Sequence, residues 1–125
     1  MALPSTVHRA VIQLSHVDRG IYETLQTTLA RHPSETAERV VLRLLAFALW
    51  YEPELIFTKG ICAGDEPDLW CKGPDGRVRL WVEVGTPDPE RLLKACRHAE
   101  RVVLLACGPA RFRWDEQHLA RLTGV

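Results

Sequence analysis

The sequence has no long apolar run, and its longest one, residues 44–51, is too short to span a bilayer. Its first fifteen residues lack a basic stretch followed by an unbroken apolar segment, so no secretory signal is expected. These two absences predict a protein without a membrane partner and with a cytoplasmic location. The chain also lacks internal repeats and low-complexity linkers, so residues 1–125 are predicted to form a single domain.

Sequence motifs for zinc and for hydrolase nucleophiles are missing as well. The cysteines form neither a C-x-x-C pair nor a paired Cys/His spacing, which argues against a zinc site and predicts buried or half-buried free thiols at Cys62, Cys71, Cys96 and Cys107. No G-x-S-x-G motif or recognisable cysteine nucleophile motif occurs, which argues against a serine or cysteine hydrolase.

The chain carries no net charge, because 16 Lys and Arg residues balance 16 Asp and Glu residues. No overall field therefore attracts polyanions, and nucleic acid would need a local basic patch in order to bind. Apolar residues make up 46% of the chain and charged residues 26%, which is typical of a globular protein with one core.

The patterns that are present predict an α/β domain. Alternating apolar and polar residues predict an N-terminal β-hairpin, with strands at residues 5–14 and 21–29. Further strands are predicted at residues 55–59, 67–72, 77–85, 101–107 and 111–114, and helices at 34–51, 87–99 and from 115 onward. The run at 101–107 is continuously apolar, which is typical of a strand buried on both faces.

The helix predicted at residues 34–51 is amphipathic, with Ser34 as its cap. We expect a polar stripe that includes Glu35, Arg39 and Arg43, and an apolar face that includes Val41, Leu45 and Leu49. Glu38 breaks this pattern, because it projects between Leu45 and Leu49 rather than along the polar stripe. A carboxylate turned toward a core needs a partner. The helix alone leaves two interpretations of Glu38 open, an ion pair with an arginine and a metal ligand.

Two further acidic residues lie on neighbouring predicted strands. A four-residue loop at residues 73–76 would place Asp68 opposite Trp81, so that Asp68, Trp81 and Glu83 share one face of the sheet. Asp68 and Glu83 would then be diagonal neighbours, with Cβ atoms about 7–8 Å apart. Two carboxylates at that separation can converge on one hard cation. The alternative is two unrelated structural carboxylates.

The P-D at residues 67–68 and the E-x-G at residues 83–85 resemble the restriction-endonuclease-like phosphodiesterase core. Longer stretches are more specific, since LARHPSETAERVVLRLLAFAL, FTKGICAGDEPDLW and LWVEVGTPDPERLLKAC strongly resemble the YaeQ family. This resemblance covers about residues 2–107. It implies a restriction-endonuclease-like mixed β-sheet flanked by helices, following the N-terminal hairpin.

The resemblance also implies a divalent-metal pocket. Its acidic residues fall on Glu38, Asp68 and Glu83, which would hold Mg²⁺ or Mn²⁺. The lysine that nucleases place two residues after the second acid is absent, since position 85 is glycine. Lys94 on the next helix is the candidate for its role, and the alternative is a solvated surface lysine. Arg39 and Arg91 are candidate phosphate contacts. The C-terminal part looks shortened relative to the family, which predicts a homodimer through an open edge or core face.

Two functions follow from this sequence. One is a Mg²⁺- or Mn²⁺-dependent phosphodiesterase or nuclease, in which the metal activates water and shields phosphate charge. The other is a non-catalytic module that binds nucleic acid or protein on a degenerate nuclease scaffold, since a fold alone does not choose between functions. The three acids favour the first hypothesis. The missing lysine and the neutral charge favour the second.

Overall fold

The computed structural model describes residues 6–58 and 66–106. The described residues form two sheets and two helices in a mixed α/β arrangement. The strand predicted at residues 111–114 and the helix predicted beyond it lie outside the described residues. Neither helix of the described ranges is long and apolar enough to cross a membrane.

The N-terminal hairpin is confirmed. Strands β1 (Thr6–His16) and β2 (Ile21–Arg31) pair antiparallel, and the turn between them contains Gly20 at a φ of 65°. Leu25 and Leu29 are buried on one face of the hairpin, whereas Tyr22 is exposed on the other. This is the alternation that the sequence predicts, because successive side chains of a strand point to opposite faces.

Helix α1 (Ala37–Leu49) begins later than predicted. Its cap is Thr36, whose side chain accepts a hydrogen bond from the Arg39 amide at 3.2 Å. The prediction of Ser34 as the cap is wrong, because residues 32–35 form a turn in which the Glu35 amide donates to the His32 carbonyl at 2.9 Å. The Ser34 hydroxyl instead lies 2.7 Å from the His32 ring.

The predicted orientation of α1 is also wrong. Ala46 and Phe47 are the residues that enter the core, whereas Val41, Leu45 and Leu49 are 61%, 46% and 41% exposed. The side of the helix predicted to be polar and solvated therefore faces the protein. The reason is electrostatic, because the arginines on that side have carboxylate partners in the rest of the fold.

A four-stranded mixed sheet forms the second layer, in the order β3-β4-β5-β6. Its strands are β3 (Leu55–Phe57), β4 (Leu69–Lys72), β5 (Val78–Val84) and β6 (Ala99–Leu105). Among the strands of residues 6–58 and 66–106, only the β5–β6 pair is parallel, and helix α2 (Pro89–His98) connects these two strands. One face of the sheet packs its apolar side chains on α1, and the other carries Trp70 and Trp81 next to α2. The predicted fold class, a mixed sheet flanked by helices after a hairpin, is confirmed.

The register of the β4–β5 hairpin differs from the prediction by two residues. Trp70 pairs with Trp81 rather than with Arg79, and Lys72 pairs with Val78. One residue of the shift comes from a five-residue loop, and the other from a bulge between Cys71 and Lys72. A shift of two leaves every side chain on its predicted face.

Two further expectations are only partly met. Strand β6 is half-buried rather than buried on both faces, and its Arg101 is exposed. Cys71 is a buried free thiol as predicted, and its pKa is raised by burial and by the neighbouring Glu52 carboxylate. Cys96 is also a free thiol but is exposed. Cys62 and Cys107 lie outside the described residues.

Candidate functional site

Asp68 lies immediately before β4 and is only 2% exposed. Its backbone amide donates to the Val82 carbonyl at 3.0 Å, which holds it against the end of β5. One carboxylate oxygen, Oδ2, accepts from the Val84 amide at 2.8 Å. The other, Oδ1, accepts from Arg39 Nη2 of α1 at 2.6 Å. Both oxygens of this buried carboxylate therefore have partners inside the protein.

Glu83, the penultimate residue of β5, is 4% exposed and has a different set of partners. Its Oε1 accepts from the Trp81 indole Nε1 at 2.9 Å and from Arg91 Nε of α2 at 2.8 Å. Arg91 also donates to the Glu66 carbonyl oxygen. Burial raises the pKa of Glu83, and the negative charge of Asp68 adds to the increase, while Trp81 and Arg91 oppose it.

Glu38 does not join these two acids. It is exposed in the first turn of α1, on the same side as the exposed Leu45 and Leu49. The prediction that it points toward the core is wrong, because the sequence places it correctly relative to those leucines but the helix turns that whole side to solvent.

Glu35 is the buried carboxylate at the start of α1, with 6% exposure. It lies 2.7 Å from Arg39 Nη1 and 2.9 Å from Arg43 Nη2. Arg43 Nε also lies 2.9 Å from Glu35 Oε2, but its hydrogen does not point at that oxygen, so this contact is charge proximity without a hydrogen bond. The sequence predicts that Glu35, Arg39 and Arg43 share a polar stripe, and the structure buries Glu35 and Arg43 of that stripe.

The two acids of the β4–β5 hairpin are thus neutralised by arginines from two different helices. Arg39 joins Asp68 to Glu35, and Arg91 binds Glu83. The sequence gives both arginines as candidate phosphate contacts, and in the structure both are engaged with carboxylates. An ion pair that is largely withdrawn from water stabilises a structure only when its geometry is good, and these contacts of 2.6–2.8 Å meet that condition.

The structure does not form the predicted pocket of three acids. Within residues 6–58 and 66–106, no group of three or more His, Cys, Asp or Glu side chains is placed to hold a metal ion. Glu38 is exposed, and the carboxylates of Asp68 and Glu83 are each directed to their own arginine. The physical reason is that Arg39 supplies the compensating positive charge at Asp68 and Arg91 supplies it at Glu83.

The two positions that depart from the nuclease pattern also have structural explanations. Gly85 adopts a φ of 113°, a backbone conformation that residues with a side chain rarely take, so a lysine is unfavourable there. Lys94 is exposed on α2 and lines a cavity of about 620 Å³ together with Trp70 and Trp81. The sequence analysis does not name Trp70 as a site residue. It could have done so, because Trp70 lies two residues after Asp68 and is therefore on the sheet face predicted for Asp68 and Trp81.

A comparison with known protein families identifies the family to which this chain is related. The family model described as YaeQ protein matches residues 1–125, the whole chain. The chain belongs to the YaeQ family. The resemblance seen in the sequence is therefore confirmed.

Curated YaeQ relatives and solved YaeQ structures agree with this assignment. The chain is 41% identical over 122 residues to "Uncharacterized protein YaeQ" of Salmonella typhi, covering 97% of this chain and 67% of the relative. It is 44% identical over 104 residues to the protein of the same name from Escherichia coli (strain K12), covering 83% of this chain and 58% of that one. The chain thus spans between about three fifths and two thirds of these relatives.

Two crystal structures of YaeQ proteins superpose closely on this chain. The YaeQ protein from Pseudomonas syringae gives a TM-score of 0.93 at 45% identity, covering 99% of this chain and 69% of that one. The YaeQ protein from Xanthomonas axonopodis pv. citri gives 0.90 at 42% identity, covering 95% and 68%. The α/β architecture described above is therefore that of the YaeQ family.

Proposed function

We propose that this YaeQ chain is a non-catalytic module that binds nucleic acid, rather than a Mg²⁺- or Mn²⁺-dependent phosphodiesterase. The observation that carries the proposal is the neutralisation of Asp68 by Arg39 and of Glu83 by Arg91, at 2.6 and 2.8 Å. A metal ion would have to displace at least one of these arginines and leave it without its partner, which is costly in a buried site.

The position of the missing lysine supports the same proposal. In a phosphodiesterase a cationic group stabilises the charge that develops on the phosphate, and its loss costs catalysis a few kcal/mol. Gly85 cannot be replaced by lysine without backbone strain. Lys94, the substitute predicted from the sequence, is on α2 beside Trp70 and Trp81.

Nucleic acid is favoured over a protein partner because of the residues that surround that cavity. Lys94, His98 and Arg91 line it together with two tryptophans, and Lys72 lies over the Trp70 ring with its Nζ 4.2 Å from the centroid. Cationic and aromatic side chains combined in one groove are characteristic of surfaces that bind single-stranded nucleic acid. They supply the local basic patch that a chain with no net charge needs.

The test combines metal titration with cleavage and binding assays. We expect calorimetric titration of Mn²⁺ to give no binding to the wild type and no difference in the paired variant Asp68→Asn/Glu83→Gln. We expect labelled DNA and RNA oligonucleotides to bind in the presence of EDTA and to remain uncut when Mg²⁺ or Mn²⁺ is added. Metal-dependent cleavage that the paired variant abolishes would instead establish the phosphodiesterase. The homodimer and the cytoplasmic location stay predictions.

A further inference from the structure

A cavity of about 620 Å³ lies between α2 and the face of the sheet opposite α1. Its volume is within the range of about 300–1,000 Å³ that small-molecule sites occupy. Apolar side chains supply part of the lining, with Val78 from β5 and Ala95 from α2. The cavity lies next to the ion-paired acids, because Trp81 and Arg91 line it while both donate to the buried carboxylate of Glu83.

The aromatic part of the cavity is a corner made by Trp70 and Trp81. Their ring centroids are 6.2 Å apart and their planes meet at 67°. Trp81 is 8% exposed and its indole N–H is held by Glu83, so its orientation is fixed, whereas Trp70 is half-buried. A flat ring that enters this corner would meet one indole face to face and the other edge-on, the two geometries that aromatic pairs prefer.

The charged part of the cavity comes from one side of α2. Arg91, Lys94 and His98 are spaced three and four residues apart, so they lie on the same side of the helix. Arg91 is engaged by Glu83, whereas Lys94 and His98 are exposed and supply an ammonium group and an imidazole to the lining. Glu90 is an acidic residue of the same lining. The cavity therefore combines an apolar corner with a polar side on which Lys94 and His98 can donate hydrogen bonds to an anion.

We propose that this cavity binds one unpaired nucleobase and its phosphate, so that the module prefers single-stranded to double-stranded nucleic acid. The base stacks in the Trp70–Trp81 corner, and the phosphate lies against Lys94 and His98. A paired base cannot enter, because its faces are covered by neighbouring base pairs. This inference rests on the proposed function, since it names the part of a nucleic acid that the module binds.

The experiment measures the anisotropy of labelled ten-nucleotide oligonucleotides in EDTA, with the wild type and with Trp70→Ala and Lys94→Ala. We expect the single strand to bind at least ten-fold more tightly than the matching duplex and than an abasic strand of equal length. Trp70→Ala should weaken single-strand binding about ten-fold, which is within the range measured for a stacking aromatic. Lys94→Ala should lower the slope of log K against log salt by about 0.7, the value for one phosphate of a single strand.

Two variants outside the cavity serve as controls. Arg97→Ala removes an exposed positive charge from α2, and Tyr22→Ala removes an exposed aromatic ring from the hairpin. Neither residue lines the cavity, so we expect affinity for the single strand to change less than two-fold. A thermal melt by circular dichroism establishes that each variant is folded before its affinity is compared.

Each other outcome overturns a defined part of the inference. If the single strand, the duplex and the abasic strand bind with equal affinity and Trp70→Ala has no effect, the cavity does not bind a nucleobase. The module would still bind nucleic acid in that case. If a mononucleotide binds as tightly as the strand, the ligand is a free nucleotide rather than a nucleic acid. If the folded protein binds no oligonucleotide at all, both the proposed function and this inference are wrong.

Discussion

Arg39 Nη2 lies 2.6 Å from Asp68 Oδ1, across 29 residues of sequence, and this contact joins α1 to the start of β4. The Asp68 side chain is 3% exposed and that of Arg39 is 27% exposed, so the pair is mostly withdrawn from water. The same arginine reaches Glu35 through its other terminal nitrogen at 2.7 Å. The acid that resembles a nuclease metal ligand is therefore part of an ion-pair network within the fold.

Removal of this contact should be measurable as a coupling energy. We expect Arg39→Met and Asp68→Asn each to lower the free energy of unfolding. Arg39→Met leaves the buried carboxylate of Asp68 without its cation, and Asp68→Asn removes one of the two carboxylates that Arg39 contacts. In a double-mutant cycle by urea denaturation, the two changes should be non-additive by at least about 1 kcal/mol, since residues in direct contact couple by about 0.5–3 kcal/mol. Additive effects would show that the contact contributes no stability.

Glu35 and Glu38 offer a matched comparison on one helix start. Glu35→Ala should destabilise the protein by about 3–5 kcal/mol, because it leaves the buried guanidinium of Arg43 without a carboxylate. Glu38→Ala changes an exposed residue three positions later and should cost within about 0.5 kcal/mol. Chemical denaturation of both variants at neutral pH checks this prediction. A larger loss of stability in Glu38→Ala than in Glu35→Ala would contradict this prediction and show that Glu38, rather than Glu35, is the acid that stabilises the fold.

The pKa of Glu83 predicts how stability depends on pH. Because burial raises this pKa above the ordinary value of 4.5, the folded protein holds its proton to a higher pH than the unfolded chain does. The contribution of Glu83 to stability is therefore largest below the unfolded pKa and falls as the pH rises through the folded pKa. Glu83→Gln keeps the shape of the side chain but cannot titrate.

The comparison is made by urea denaturation of the wild type and Glu83→Gln between about pH 4 and about pH 7, on either side of the ordinary glutamate pKa. We expect the stability of the wild type relative to the variant to decrease as the pH rises. A relative stability that increases with pH would mean that the ion pair with Arg91 outweighs burial, and that the pKa of Glu83 is lowered.

Replacement of Gly85 by lysine would restore the lysine of the nuclease pattern. We expect Gly85→Lys to lower the free energy of unfolding by about 1–3 kcal/mol, because position 85 has a φ of 113°. Gly85→Ala should cost a similar amount, since no atom lies within 4 Å of the added Cβ and the strain belongs to the backbone. Thermal melts of the two variants measure this cost. A Gly85→Lys protein as stable as the wild type would contradict this prediction.

Local patterns were sufficient for the elements of residues 6–58 and 66–106 and for the faces of the β1–β2 and β4–β5 hairpins. The alternation in β2 predicted which face of the hairpin carries Leu25 and Leu29, because a strand has a fixed period of two. The same period placed Trp81 and Glu83 on one face although the register was wrong by two residues, since a shift of two preserves the face. The family was also readable from three stretches of sequence, and the family comparison confirmed it.

Sequence periodicity did not predict which side of α1 faces the protein. Periodicity relates the residues of a helix to one another, so Glu38 was correctly placed beside Leu45 and Leu49. It does not say which side of the helix faces the sheet. The sequence predicts a polar stripe, and in the structure Asp68 and Glu35 supply the arginines of that stripe with carboxylates inside the protein.

The sequence by itself determined the α/β class, the hairpin, the faces of the strands and membership of the YaeQ family, because these depend on residues that are near one another in the chain. Tertiary structure alone decided that Asp68 and Glu83 have different arginines as partners, that Glu38 is exposed, and that Trp70 and Trp81 form the wall of a cavity with α2. These features depend on contacts between distant segments, and the stability of a buried charge is set by whichever group of opposite charge the fold brings within about 3 Å of it.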